Sequence, residues 1–311
     1  MYINFVPVII RPVRGGKGVA GEKGETSPVP PALVKQGRLT MRVLYREQRH
    51  DCNDYLDIDI FPVLKHSSKG KRAKKSKPTS LTQERYNHQC RVKKLERLVM
   101  TNFKQGEALF YNPSYNDENL PPNDVAAKRA LQNFFKRLKR YRKRNGLPDL
   151  KYIATTEKGK RSGRYHHHII LNCADMSVSA LDKLWGNGYA YASIVIFDSD
   201  GVAGLAKYFC KKKQPNTADE SEDKRLGNAW SSSRNLVQPK ITKRDGRISK
   251  SKAYELYTLG NDGGKEYEKL YPNYVFSYAR PLYNEINGGF YISVRMRRER
   301  RKRNRRGYNG N

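Results

Sequence analysis

Three consecutive histidines, His166, His167 and His168, stand behind Gly163-Arg164-Tyr165 and run into the apolar stretch Ile169-Ile170-Leu171. Imidazole nitrogens bind divalent metals when two or more converge on one point. In an extended chain successive side chains alternate between faces, so His166, His168 and Ile170 share one face while Tyr165, His167 and Ile169 share the other. Upstream, Lys151-Tyr-Ile-Ala-Thr-Thr-Glu157 reads as a second strand, joined to the first by the polar link Lys158 to Gly163. In one antiparallel register Glu157 lies across from His166 and Thr155 across from His168, which adds a carboxylate to the two imidazoles. Two His and one carboxylate with open positions suit Mg²⁺ or Mn²⁺ better than a closed structural zinc site. On composition alone, a basic strand with three histidines also reads as a solvated surface, and Glu157 as a strand-end charge paired with a lysine or arginine.

A second reactive group lies downstream. Asp198-Ser-Asp-Gly-Val-Ala-Gly-Leu-Ala-Lys-Tyr-Phe-Cys-Lys-Lys-Lys213 predicts a helix opened by an Asp or Ser cap, with Val202, Leu205, Ala206 and Phe209 as its buried stripe. Tyr208 falls on the margin of that stripe, and Lys212 follows one turn on. A tyrosine hydroxyl at the edge of a packed helix is a nucleophile for phosphate if a metal or a cation offsets its high pKa, ordinarily near 10. If the helix only packs, Tyr208 is a boundary aromatic and the lysines are a solvated face.

These residues need a frame to hold them. Thr79-Ser80 carries a capping-box-like start for a helix running to about Met100, and Ala108 begins a strand through Tyr111. Asn123 or Asp124 caps a helix that ends at Gly146, with Ala127, Leu131, Phe134, Phe135 and Leu138 on one stripe. Ser177 to Trp185 is a short capped helix stopped by Gly186, and Tyr189 to Phe197 is a strand. The order strand, helix, strand, strand, helix, strand, helix predicts an α+β fold with a central antiparallel sheet flanked by helices.

Charge restricts the partner. Of 311 residues, 62 are Lys or Arg and 30 are Asp or Glu, a formal net charge of +32. So large an excess calls for a polyanion, with nucleic acid foremost. Two runs concentrate it: Lys136, Arg137, Lys139, Arg140, Arg142, Lys143 and Arg144 at the far end of the second helix, and the arginine-rich stretch from Arg295 that includes Arg297, Arg298, Arg300 and Arg301. Both suit contacts to DNA phosphates, and the second is expected to be disordered alone. No apolar run approaches a membrane span, and the short apolar start, Met1 to Pro12, lacks the marks of a signal peptide. Four cysteines without Cys-x-x-Cys spacing fit a reducing cytosol.

The ordered set of a strand ending in Glu157, Arg-Tyr-His-His-His-Ile-Ile-Leu and Ala-Lys-Tyr-Phe-Cys-Lys-Lys resembles the HUH endonuclease superfamily, specifically the rolling-circle replication initiators of small phages and plasmids. The resemblance covers about residues 80 to 213. It implies a five-stranded antiparallel sheet, His166 and His168 as metal ligands with Glu157 as a third, and Tyr208 as the single nucleophilic tyrosine. Lys211 or Lys212 matches the assisting lysine. The chain departs from the family's pattern at His167, where a bulky apolar residue is usual. It departs also at Phe110 in Ala108-Leu-Phe-Tyr111, where a hydroxyl residue is usual. The activity implied is nicking and rejoining of single-stranded or origin DNA, with Mg²⁺ or Mn²⁺ and no nucleotide cofactor, in the cytoplasm of a bacterial host and beside its helicase and polymerase. A relaxase or transposase of the same superfamily, or a binding protein without catalysis, are the other readings.

The expected organisation is a basic N-terminal extension with a hairpin (1–78), a nicking domain (79–213), a Tyr-rich accessory region (214–294) and the Arg-rich tail (295–311). Within the first, Thr40 to Tyr45 and Tyr55 to Val63 predict strands. Asp57 and Asp59, alternating with Leu56, Ile58 and Ile60, read as the solvent face of an edge hairpin, or as a second metal site. Tyr254 to Tyr291 places aromatics among cations, a pattern that either stacks bases or packs.

Overall fold

The computed structural model describes residues 43–63, 81–159, 162–173, 175–198, 201–210, 230–284 and 288–299. The elements run β1 (Leu44–Cys52), β2 (Tyr55–Val63), α1 (Leu81–Asn102), β3 (Ala108–Pro113), α2 (Asp124–Arg144), β4 (Tyr152–Lys158), β5 (Tyr165–Asn172), α3 (Val178–Trp185), β6 (Ala190–Ile194) and α4 (Ala203–Phe209). They continue with β7 (Ser231–Ser232), β8 (Lys240–Asp245), α5 (Lys250–Leu259), α6 (Gly264–Leu270), β9 (Tyr274–Asn284) and β10 (Gly289–Arg298). From β3 to α4 this is the order expected. Two antiparallel five-stranded sheets result, β8-β1-β2-β10-β9 and β6-β3-β5-β4-β7, giving an α+β fold.

Local chemistry sets most boundaries. Asn123 caps α2 through the Ala126 N–H, and Ser177 caps α3 through the Ala180 N–H. Gly186 closes α3 in the left-handed conformation that a side chain disfavours. The stripe of α2 buries Ala127, Leu131, Phe134, Phe135 and Leu138 against one face of the second sheet, together with Trp185 of α3. The other face of that sheet carries Ala108, Ile153 and Ile170, which pack with Val99 and Met100 of α1 and with Ala206 and Phe209 of α4. Strand alternation therefore gives the sheet two cores, one per face.

The first sheet departs from expectation. Its hairpin β1–β2 is not an edge, because β10 pairs with β2 and β8 with β1. Leu56, Ile58 and Ile60 align with Met296, Val294 and Ile292 and pack under α5 and α6. On the opposite face Asp57 aligns with Arg295 and Asp59 with Ser293. Asp57 is buried and accepts from Arg295 Nε at 2.7 Å, while Arg97 of α1 reaches Asp57 at 2.9 Å and Asp59 at 2.7 Å. Arg295 also pairs with Glu96 of α1. Asp57 and Asp59 are thus neither a solvent face nor a metal site: guanidiniums from α1 and β10 cover and neutralise them. Burial alone would raise the Asp57 carboxyl, but Arg295 and Arg97 outweigh it and hold the group below the usual carboxylate range.

Arg295 to Arg298 are likewise not part of a loose tail, since they complete β10. Of the tyrosines expected to stack bases or pack, Tyr267 and Tyr271 are buried in the core of the first sheet.

Candidate active site

Strands β4 and β5 pair in the register expected from sequence, Glu157 with His166 and Thr155 with His168. The carboxylate and both imidazoles offer ligand atoms that all lie within 4.8 Å of one another. Glu157 Oε2 is 3.4 Å from His168 Nε2 and 3.7 Å from His166 Nε2. Nitrogen and oxygen donors on three side chains, converging with one side open, fit a divalent ion.

His168 is held on three sides. Its Nδ1 lies 2.8 Å from Asn112 Oδ1 at the end of β3. A carboxamide oxygen only accepts, so Nδ1 carries the proton and the Nε2 lone pair is turned toward Glu157. Its ring lies parallel to that of Phe110 at 5.9 Å. The hydroxyl of Tyr208 meets Nε2 at 3.1 Å. The proposed nucleophile and the carboxylate ligand therefore approach the same nitrogen. Neither Asn112 nor Phe110 stands out by residue type. Only the β3–β5 pairing, Tyr111 with Ile169, carries Asn112 to His168.

Helix α4 presents Tyr208 because its neighbours are anchored. Ala206, Phe209 and Cys210 are buried against α1, and Tyr208 packs at the rim of that cluster. The helix is shorter than the sequence suggests and begins at Ala203 without a side-chain cap. Gly201 leads into it with φ +73°, and a Cβ there would meet Met100 Sδ at 2.6 Å, so the approach to α1 requires glycine. Burial raises the Tyr208 phenol above its ordinary value, and the Glu157 charge adds to the effect. Without a cation the site thus disfavours the phenolate, as a metal-dependent nucleophile requires. Lys211 and Lys212 lie outside the described residues.

His167 points the other way. It is fully buried beneath α2 and α3, with Tyr115 Oη 2.7 Å from Nε2, Thr156 Oγ1 2.9 Å from Nδ1 and the Trp185 ring alongside. Burial, with the neighbouring His166 and His168, pushes it down to about 3, so it is a neutral core residue. The middle histidine therefore takes the place of an apolar side chain by satisfying both its nitrogens internally.

The cations of α2 divide by position. Lys136, Lys139, Arg140, Lys143 and Arg144 are exposed. Arg137 donates to the carbonyls of Leu184 and Trp185, tying α2 to α3. Arg142 is buried and bonded to Asn172, so it is withdrawn from the surface that a DNA backbone would meet. On β10, Arg297 and Arg298 are exposed, with Arg298 near Asp51 at 3.7 Å and bonded to the Tyr274 hydroxyl. Arg300 and Arg301 lie outside the described residues.

Among the described residues no helix is long and apolar enough to cross a membrane. No curated protein and no solved structure matches the chain. Residues 109–213, which contain Glu157, His166, His168 and Tyr208, match a family of replication-associated proteins, the ORF2 type, and this match supports a replication initiator family.

Proposed function

We propose that the chain is a single-tyrosine HUH enzyme that nicks and rejoins single-stranded DNA at an origin during rolling-circle replication. The observation that carries this reading is the 3.1 Å approach of the Tyr208 hydroxyl to His168, inside a cluster of Glu157, His166 and His168. A divalent ion held by those three side chains would supply Lewis acidity to the scissile phosphate. Tyr208 Oη attacks the phosphorus, the P–O3′ bond breaks, and the DNA is left with a free 3′-OH and a 5′-phosphotyrosyl link. The phenolic proton is released and the leaving 3′ oxygen takes one up, so the transfer is proton-neutral. Attack by a 3′-OH on the same phosphorus reverses it and joins two ends. The phosphodiester bond is exchanged rather than hydrolysed, so no nucleotide cofactor is needed.

Residues 79–213 form the nicking unit in this reading, and Lys211 or Lys212 stabilises the developing negative charge. Lys136, Lys139, Arg140, Lys143 and Arg144 bind the DNA backbone. A bacterial host's polymerase extends the free 3′-OH, which places the reaction in the cytoplasm. The test is incubation with Mn²⁺ and labelled single-stranded DNA from the chain's own genome, followed by a denaturing protein gel. A labelled band at the protein, lost in Tyr208→Phe, is expected. A band that persists in Tyr208→Phe overturns the nucleophile, and tight DNA binding with no adduct in any metal favours a binding protein.

A further inference from the structure

The edge strand β6 presents two tyrosines that the reaction above does not use. Tyr189 is 81% exposed and Tyr191 46% exposed. Register gives their direction. Ala190 and Ala192 pack against the core under α2 and α3, so Tyr189 and Tyr191 project from the opposite face. Tyr191 aligns with Asn112. The Ser114 N–H donates to the Tyr189 carbonyl, and Ser114 bridges to His166. Two rows thus cross the sheet, Tyr189-Ser114-His166-Glu157 and Tyr191-Asn112-His168-Thr155. Each tyrosine lies two strands from a candidate ligand, about 10 Å away on the same face.

The shelf is also fixed in place. Asn116 N–H donates to the Asn187 carbonyl, clamping the approach to β6 against the loop after β3. Gly188 between them has φ +150°, and a Cβ there would lie 2.4 Å from Asn116 N, so only glycine permits this contact. Among the described residues neither tyrosine ring packs on another aromatic. Exposed, pinned rings beside a phosphate-reactive site, on a chain of net charge +32, match what unpaired bases on a polyanionic strand require.

We infer that Tyr189 and Tyr191 form a stacking shelf for unpaired nucleobases flanking the phosphate presented to Tyr208. The inference rests on the reading of the site as one that acts on single-stranded DNA, and it adds the part of the surface that selects unpaired over paired strands. A duplex keeps its base faces stacked inside and offers nothing to the two rings.

The test measures binding of fluorescein-labelled oligo(dT), of the same oligonucleotide carrying a run of abasic sites, and of a duplex of equal length, using the full chain. The Tyr189→Ala/Tyr191→Ala pair is expected to raise the Kd for oligo(dT) about tenfold or more, with Tyr189→Phe/Tyr191→Phe restoring it and duplex affinity unchanged throughout. Abasic sites should weaken binding to the unsubstituted chain and make it insensitive to the Ala pair. Equal affinity of the Ala pair and the parent for oligo(dT), or equal loss on oligo(dT) and duplex, overturns the shelf. Equal binding of abasic and normal oligonucleotides by the parent chain overturns it without any variant. Failure is separable from that of the nicking reading. If no covalent adduct forms but the selective loss is seen, the shelf stands and nicking falls. If the adduct forms and the Ala pair binds as the parent does, only the shelf falls.

Discussion

Asn112 Oδ1 lies 2.8 Å from Nδ1 of His168, on the side of the ring away from Glu157. Because the amide oxygen fixes which nitrogen carries the proton, it sets the donor atom that faces the candidate metal centre. Asn112→Ala should weaken Mn²⁺ binding by about 10- to 100-fold in titration calorimetry, with the far-ultraviolet circular dichroism unchanged. An unaltered affinity would show that Asn112 does not orient the ligand.

His166 and His167, neighbours in sequence, should separate cleanly by what their loss does. His167→Ala removes a buried ring and leaves Tyr115 and Thr156 without their partner, costing about 3 kcal/mol in urea unfolding. The half-buried His166 should instead cost Mn²⁺ affinity and little stability. If His167→Ala abolished metal binding while stability held, the assignment of faces would be wrong.

Arg295 is 1% exposed and leans on Asp57 and Glu96, with Arg97 sharing Asp57. Asp57→Ala leaves buried guanidinium charge without its main partner and should cost about 3–5 kcal/mol, read as a lower urea midpoint. A substitution on a solvent face would change stability by no more than about 0.5 kcal/mol, so the measurement distinguishes the two placements.

His50 extends the same network, facing Arg97, Asp59, Asp57 and Lys93, with Gln48 bonded to its ring. Burial, reinforced by the Arg97 charge, pushes it down to about 4 from 6.5. The unfolded chain therefore binds the proton more readily. The stability that neutral His50 contributes is complete above pH 6.5 and is lost as pH falls toward 4, on the order of 3 kcal/mol in all. Urea unfolding at pH 7 and pH 5 should show this slope, and His50→Gln should reduce it. Part remains in the variant, since buried His167 acts in the same direction. An identical slope in both proteins would refute the role of His50.

The local part of this design was legible in the chain. Alternation put His166 and His168 on one face, and the length of the Lys158–Gly163 link set the register that brings Glu157 to them. Asn112 escaped because its role depends on a strand pairing far along the sequence, which periodicity does not encode. Asp57 and Asp59 were misleading for a related reason. A two-residue period marks two different faces, but says nothing about whether the polar one meets water or the arginines of α1 and β10. His167 sat in an apolar position with a polar side chain, and only its two internal partners explain it.

The pairing of Ile60 with Ile292 joins strands from opposite ends of the described chain, whereas β3 to β6 lie within residues 108–194. During synthesis the strands bearing Glu157, His166 and His168 emerge long before β10 exists, so the metal cluster can assemble on the ribosome while Asp57 still waits for Arg295. Closure of the first sheet is then the late step of maturation, and the buried ion pairs that α1 shares with β10 form only when the last strand arrives.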